Sequence, residues 1–243
     1  MNRPRLISIQ VGRPQEHGEV GRTDWSHRPW TTGFYKSPVA GPVFVGRENL
    51  AGDAQADLVN HGGADKAICV YSFDHYPFWR ETLAESPSEP EPLAPGAFGE
   101  NFTVAGLAEA DVCIGDVWRI ADASRPAAAQ SNTTLPAALF QVSQPRQPCW
   151  KLARRWNITT LPAQVVESGK TGWYFRVHTE GVHTKRIVAA GMELTLVERP
   201  CPEWPIQRAN AVMYRNEGGE AAAAQLAAIQ PLSEAWRTAL APR

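Results

Sequence analysis

The chain has 243 residues, a formal net charge of −1 and 43% hydrophobic residues. That length is enough to bury a full core in one large domain, or in one domain with a small appendage. The charge balance argues against nucleic acid or an anionic membrane surface as default partners, since both select a clear basic excess.

Cys69, Cys113, Cys149 and Cys201 lie far apart without a C-x-x-C pair. Neither a zinc ribbon nor a disulfide scaffold is indicated, and reduced thiols are expected. Met1-Asn-Arg-Pro-Arg5 lacks the apolar run of a signal peptide, and no segment approaches the roughly twenty apolar residues that span a bilayer. The expectation is a soluble, cytoplasmic protein with no membrane partner.

Leu6 to Val11 is rich in β-formers and ends at Gly12, which predicts the first strand. From Gly12 to Pro42, glycines, prolines and histidines alternate with Trp25, Trp30, Phe34 and Tyr35. This is too apolar for a free linker and too broken for a helix, so a long packed loop is expected. Pro42 to Gly46 predicts a short strand. The polar run through Gly52, Asp53, Gln55 and Asp57 leads to Asn60-His-Gly-Gly63, a turn that either brings N–H groups near an anion or simply reverses the chain.

Ala67 to Tyr71 predicts a buried strand. Ser72 or Asp74 then caps a helix with Pro77 in its first turn and Tyr76, Trp79 and Leu83 on its apolar face. Ser86 to Pro95 reads as a loop, Ala97 to Val104 and Gly115 to Ile120 as strands, Ala121 to Pro136 as a surface excursion, and Leu139 to Ser143 as another strand. Further strands are expected over 172–177 and 193–197, with turns at Gly181 and Gly191. Many short strands with long loops suggest a barrel. Beyond Pro205 the pattern becomes helical, over 206–214, 220–229 and 233–240. Such an appendage buries little by itself and should dock on the barrel or on a second subunit, which admits a homodimer.

The stretch Gln144-Pro-Arg-Gln-Pro-Cys-Trp-Lys-Leu-Ala-Arg-Arg-Trp156 concentrates the most potential chemistry. Pro148 is expected to open a helix that Asn157 ends, with Cys149 in its first turn. Unpaired backbone N–H groups there, with Arg146 and Lys151 close in sequence, favour the thiolate that attacks or binds metals. The same spacing, Cys149, Leu152, Ala153 and Trp156, is also that of an apolar stripe carrying an inert cysteine. Spacing alone leaves both readings open.

Four stretches together resemble the MOSC family, named for the C-terminal domain of molybdenum cofactor sulfurases, in its YiiM-like branch. They are Thr32-Gly-Phe-Tyr-Lys-Ser37 with Gly52-Asp-Ala-Gln-Ala-Asp57, Asn60-His-Gly-Gly-Ala-Asp-Lys-Ala67, Phe98-Gly-Glu-Asn101, and Gln141-Val-Ser-Gln-Pro-Arg-Gln-Pro-Cys149. The resemblance implies a mainly β fold: a MOSC β-barrel over 1–199, similar to the barrel domain of pyruvate kinase, with a three-helix extension over 200–243. It also implies the molybdenum cofactor, with Cys149 as the metal ligand and catalytic centre. Around it Arg146, Lys36 and Lys66 are expected as phosphate or pterin contacts, and Asn101 and His61 as orienting groups. The implied activity is reduction of N-hydroxylated compounds such as hydroxylaminopurine-type bases and amidoximes. No flavin or nicotinamide fingerprint is present, so electrons would come from an external flavin reductase. A persulfide sulfur carrier and a non-catalytic cofactor-binding or transfer protein are the alternatives. The Ala121–Pro136 segment looks longer than in close relatives.

Overall fold

A computed structural model describes residues 3–84, 93–122, 138–178 and 186–241. The loop expected over 86–95 and the excursion over 121–136 lie largely outside these residues, and the Gly181 turn lies wholly outside them.

The strands are β1 (Arg5–Val11), β2 (Gln15–His17), β3 (Trp30–Thr32), β4 (Ser37–Pro38), β5 (Val43–Phe44) and β6 (Ile68–Ser72). They continue with β7 (Phe102–Ala105), β8 (Val117–Ala121), β9 (Ala138–Pro145), β10 (Trp173–Val177), β11 (Ile187–Val188) and β12 (Glu193–Glu198). The helices are α1 (Leu58–His61), α2 (Tyr76–Thr82), α3 (Trp150–Trp156), α4 (Leu161–Ser168), α5 (Ile206–Arg215), α6 (Gly219–Ala227) and α7 (Glu234–Leu240).

Seven strands close a barrel in the order β12-β8-β9-β10-β6-β7-β1, with β12 returning to pair with β1 and β4 added outside β1. Closure removes the open edges that would otherwise invite pairing with another chain. All pairs are antiparallel except β6 with β7. Alternation fixes the two faces: Trp173, Phe175 and Val177 of β10 point into the core, while Tyr174 and Arg176 point outward. Tyr174 stands opposite Cys69 of β6 and Gln144 of β9. The outer face of β6, β10 and β9 is therefore a small platform bearing these three side chains.

Two helical groups flank that platform. On one side α2, α3 and α4 enclose a cluster of Tyr71, Trp79, Phe98, Leu152, Trp156 and Val165. On the other, α5, α6 and α7 join the barrel core itself through Trp204, Ile206, Leu226, Leu232 and Trp236. Main-chain hydrogen bonds fix this docking: Ile206 N donates to Val112 O at 2.8 Å, and Ser233 N to Ser143 O at 2.9 Å. The extension thus docks on its own barrel.

Three expectations need correction, and one helix is new. The segment from Gly12 to Pro42 is not all loop: β2 and β3 form a hairpin and β4 joins β1. It packs through Trp30, whose ring is 5.2 Å from that of Trp150 and beneath the Arg154 guanidinium at 4.8 Å. The strand expected from Ala97 begins only at Phe102, because the buried Glu100 carboxylate draws the Gly96 and Phe98 N–H groups into a turn at 2.8 and 3.1 Å. The helix α4, with Pro162 at its start, was not anticipated. Finally, Cys149 is the N-cap of α3, not a first-turn residue: its backbone is extended (φ −123°, ψ 171°) while its carbonyl accepts the Leu152 N–H at 3.0 Å. Asn157 ends the helix in the left-handed region at φ 51°, as anticipated.

Candidate functional site

A cavity opens over the platform, and Lys36, His61, Lys66, Asn101, Arg146 and Cys149 all line it. A larger chamber of about 470 Å³ adjoins it toward the surface. Cys149, His61, Lys66, Gln147 and Tyr174 belong to both, so the cysteine sits at their junction. Of the stripe Cys149, Leu152, Ala153 and Trp156, the last three are buried in the helical cluster or beside it, whereas Cys149 is partly exposed.

The six residues are held in different ways. Arg146 is 4% exposed; its Nη2 donates to Phe98 O at 2.8 Å, and its Nη1 is buried without a partner. A buried guanidinium N–H with no acceptor is costly, and an anion in the cavity would relieve it. Lys66 is fixed by a 2.7 Å hydrogen bond from Nζ to Asn60 O, and burial lowers its pKa. His61 ends α1, whose Asp57 cap accepts the Asn60 N–H at 3.0 Å. Burial, then the neighbouring Lys151 charge, pushes the His61 pKa down to about 4, leaving a neutral ring near pH 7.

Lys36 differs from the expectation. Its ammonium forms a buried ion pair with Asp53, so its charge is already balanced within the wall. Asn101 is a brace: its Oδ1 accepts the Cys69 N–H at 3.1 Å, while its Nδ2 donates to Gln10 O at 3.2 Å and to Asp53 at 2.9 Å. It ties β1, β6 and the Asp53 loop together. Gly99 lies beside it with φ +75°, and a Cβ there would come within 2.6 Å of the Phe34 ring. Only glycine lets the loop approach so closely.

Sequence reasoning missed several wall residues. Lys151, expected only as a charge close to Cys149 in sequence, lines the cavity as another cation at 8% exposure. Tyr174 and Gln144 follow from strand alternation in Trp173–Val177 and Ala138–Pro145, once the strands are known to share a platform. Asp53 was visible within a polar run and within the Gly52–Asp57 motif, but with no role assigned to it. From the extension, Ala235 of α7 reaches the outer chamber, and the Tyr214 hydroxyl, pushed up to about 12 by burial, faces Gln147.

The site therefore offers one accessible thiol beside Arg146, Lys66 and Lys151. Among the described residues no group of three or more His, Cys, Asp or Glu side chains could hold a metal ion. An organic cofactor could supply further ligands to a metal held by the Cys149 thiolate, and the unpartnered Arg146 Nη1 suits the anionic end of such a group. The residues fit a molybdenum–pterin. Also among the described residues, no helix is long and apolar enough to cross a membrane.

Two family profiles match the sequence: the MOSC domain over residues 57–195 and the YiiM-like 3-alpha helix domain over 204–243. The chain is 41% identical over 232 residues to uncharacterized protein YflK of Bacillus subtilis, covering 96% of this chain and 90% of that protein. It is 33% identical over 208 residues to a protein of Gibberella moniliformis named reductase, covering 86% of this chain and 32% of that longer protein. The solved structure of YiiM from Geobacillus stearothermophilus superposes with a TM-score of 0.70 at 34% identity, covering 98% of this chain and 97% of that one.

Proposed function

The chain belongs to the MOSC domain family and carries a YiiM-like three-helix domain, and from that membership we propose that it is a molybdenum-cofactor-dependent reductase of N-hydroxylated compounds. The observation that carries this reading is the partly exposed Cys149 at the junction of two chambers, beside the buried, half-unpaired Arg146. The reductase name of the Gibberella relative points to the same reaction class.

Cys149 would hold the metal through its thiolate, and Arg146, Lys66 and Lys151 would offset the negative charge of thiolate and cofactor. When bound, the cofactor supplies the two electrons and the Lewis acidity for cleaving the N–O bond. The overall change is R–NH–OH plus two electrons and two protons giving R–NH2 and water, with an external flavin reductase as the electron source. Lys66 Nζ, its pKa lowered by burial and its position fixed by Asn60, is suited to give a proton to the departing oxygen. The neutral His61 ring adds no positive charge at the junction and can accept or donate one hydrogen bond.

The test is metal and pterin analysis of protein made in a cofactor-producing host, with turnover driven by a chemical reductant on hydroxylaminopurine, N-hydroxycytosine and benzamidoxime. Stoichiometric molybdenum that Cys149→Ala loses, together with reduction of at least one substrate, is expected. Molybdenum retained by Cys149→Ala would overturn the ligand assignment. Sulfur transfer through Cys149 with no molybdenum bound would favour the persulfide carrier, and a loaded, reducible protein with no turnover would favour cofactor transfer.

A further inference from the structure

The outer chamber is walled by two separate parts of the fold. Val59 comes from α1 and Trp150 from the start of α3, whereas Ala235 comes from α7 of the extension. Val59 is 90% and Trp150 47% exposed, and Gln147 and Ala235 are exposed as well, so these four stand where the chamber meets solvent. The space is unequally divided. The outer chamber holds about 470 Å³, within the range of small-molecule sites, and the cavity behind it about 80 Å³. With Cys149 at the junction, the part of a ligand larger than its reacting group must rest in the outer chamber.

The wall at Ala235 is held in place from several sides. Ser233 caps α7, its Oγ accepting the Trp236 N–H at 3.3 Å, and its own N–H donates to Ser143 O at 2.9 Å. Trp236 is 0% exposed, and its ring meets that of Tyr214 on α5 edge-on at 6.4 Å. Arg237 ties down the turn before the helix, donating to Leu232 O at 2.8 Å and to Gln230 O at 2.6 Å. Ser143 in turn donates through Oγ to Asp65 O at 2.5 Å, beside Lys66. Position 235 is therefore fixed relative to the strand that leads to Cys149. A helix packed in this way does not retreat from an added side chain, which would project into the chamber instead.

We propose that Ala235 is a specificity-determining residue: its bare methyl group at the rim lets a molecule with a ring-sized body reach Cys149, so the extension sets the upper size of the substrate. The proposal rests on the reductase reading only for what is reduced at the site. Trp150 and Gln147 fill their parts of the rim with large side chains, and position 235 is where the opening is kept wide. Discrimination of this kind works by clash, and it falls on large ligands more than on small ones.

The test reads access to Cys149 without turnover. The full chain, made in a host without the molybdenum cofactor, is alkylated with iodoacetamide and with 2-iodo-N-phenylacetamide, which share the reacting carbon and differ by a phenyl ring. Peptide mapping follows Cys149 alone. Wild type should react with both at comparable rates. Along the series Ala235→Val, Ala235→Leu and Ala235→Trp, the ratio of the phenyl to the small reagent should fall progressively, by about tenfold or more at Trp, the scale on which a pocket discriminates by size. Damage to the fold gives a different result, because an opened structure exposes Cys149 and speeds both reagents. Exclusion of the phenyl reagent by wild type, an unchanged ratio in Ala235→Trp, or both rates rising together along the series would each overturn the proposal. A protein that shows the expected series but reduces no N-hydroxylated substrate when loaded removes the reductase reading and leaves this assignment standing.

Discussion

Asp53 and Lys36 meet as an ion pair in the cavity wall, with the carboxylate side chain 0% and the lysine side chain 7% exposed. The same carboxylate accepts the Gly12 N–H at 2.8 Å and the Asn101 amide at 2.9 Å. One buried charge thus joins the loop after β1, the segment before β4 and the residue before β7. Removing one partner of such a pair strands the other, at a cost of about 3–5 kcal/mol. Asp53→Ala should lose stability on that scale in urea denaturation, and Lys36→Met combined with it should recover part of the loss. A double variant no more stable than the sum of the singles would show that the two are not coupled.

The four thiols should react in a definite order. Burial pushes Cys69 and Cys113 up to about 11, and Cys201 is also raised by burial. The thiolate fraction of all three is therefore small near pH 7, and Cys69 and Cys113 are shielded as well. Cys149, partly exposed at the junction of the chambers, should be alkylated first by iodoacetamide. Peptide mapping after brief labelling checks this, and Cys201 modified ahead of Cys149 would contradict it.

His61 should make stability depend on pH in the mildly acidic range. Its folded pKa, about 4, lies below its ordinary value of 6.5, so between these the unfolded chain binds the proton more readily. Its contribution is complete above about 6.5 and is lost as pH falls toward 4. With allowance for its partial exposure, the loss is on the order of 1–2 kcal/mol. His61→Asn should flatten this part of the stability curve, and an anion bound beside the ring should raise the folded pKa toward 6.5 and so shrink the decline. An unchanged slope in the variant would assign the dependence to other groups.

The three-helix extension should be inseparable from the barrel. Trp236, Leu232, Leu226 and Ile206 are fully buried in the same cluster as Phe140 and Trp173. Trp236→Ala should therefore cost about 3–5 kcal/mol, and the site should loosen with it because Ala235 and Ser233 are adjacent. Hydrogen exchange at the Ser233 N–H, which donates to Ser143 O, should rise in that variant. Protection unchanged there would mean that the extension docks without Trp236.

The sequence by itself determined the strands with clear alternation, the helix ending at Asn157 and the helical C-terminus. Those features rest on local chemistry: periodicity, turn residues and spacing are written in neighbouring positions. It also carried the ordered motifs that mark the family, which gathered Lys36, His61, Lys66, Asn101 and Arg146 into one expected site. Tertiary structure decided what each of them does. Lys36 is neutralised by Asp53, distant in sequence, and Asn101 spends its amide on three strands and loops, so neither is free in the way its residue type suggested. Gln144 and Tyr174 became site residues only because β6, β10 and β9 turn one face outward together, and Ala235 only because the extension folds back onto β9. Such roles depend on contacts between residues far apart in the chain, and closure of the barrel is what brings them together.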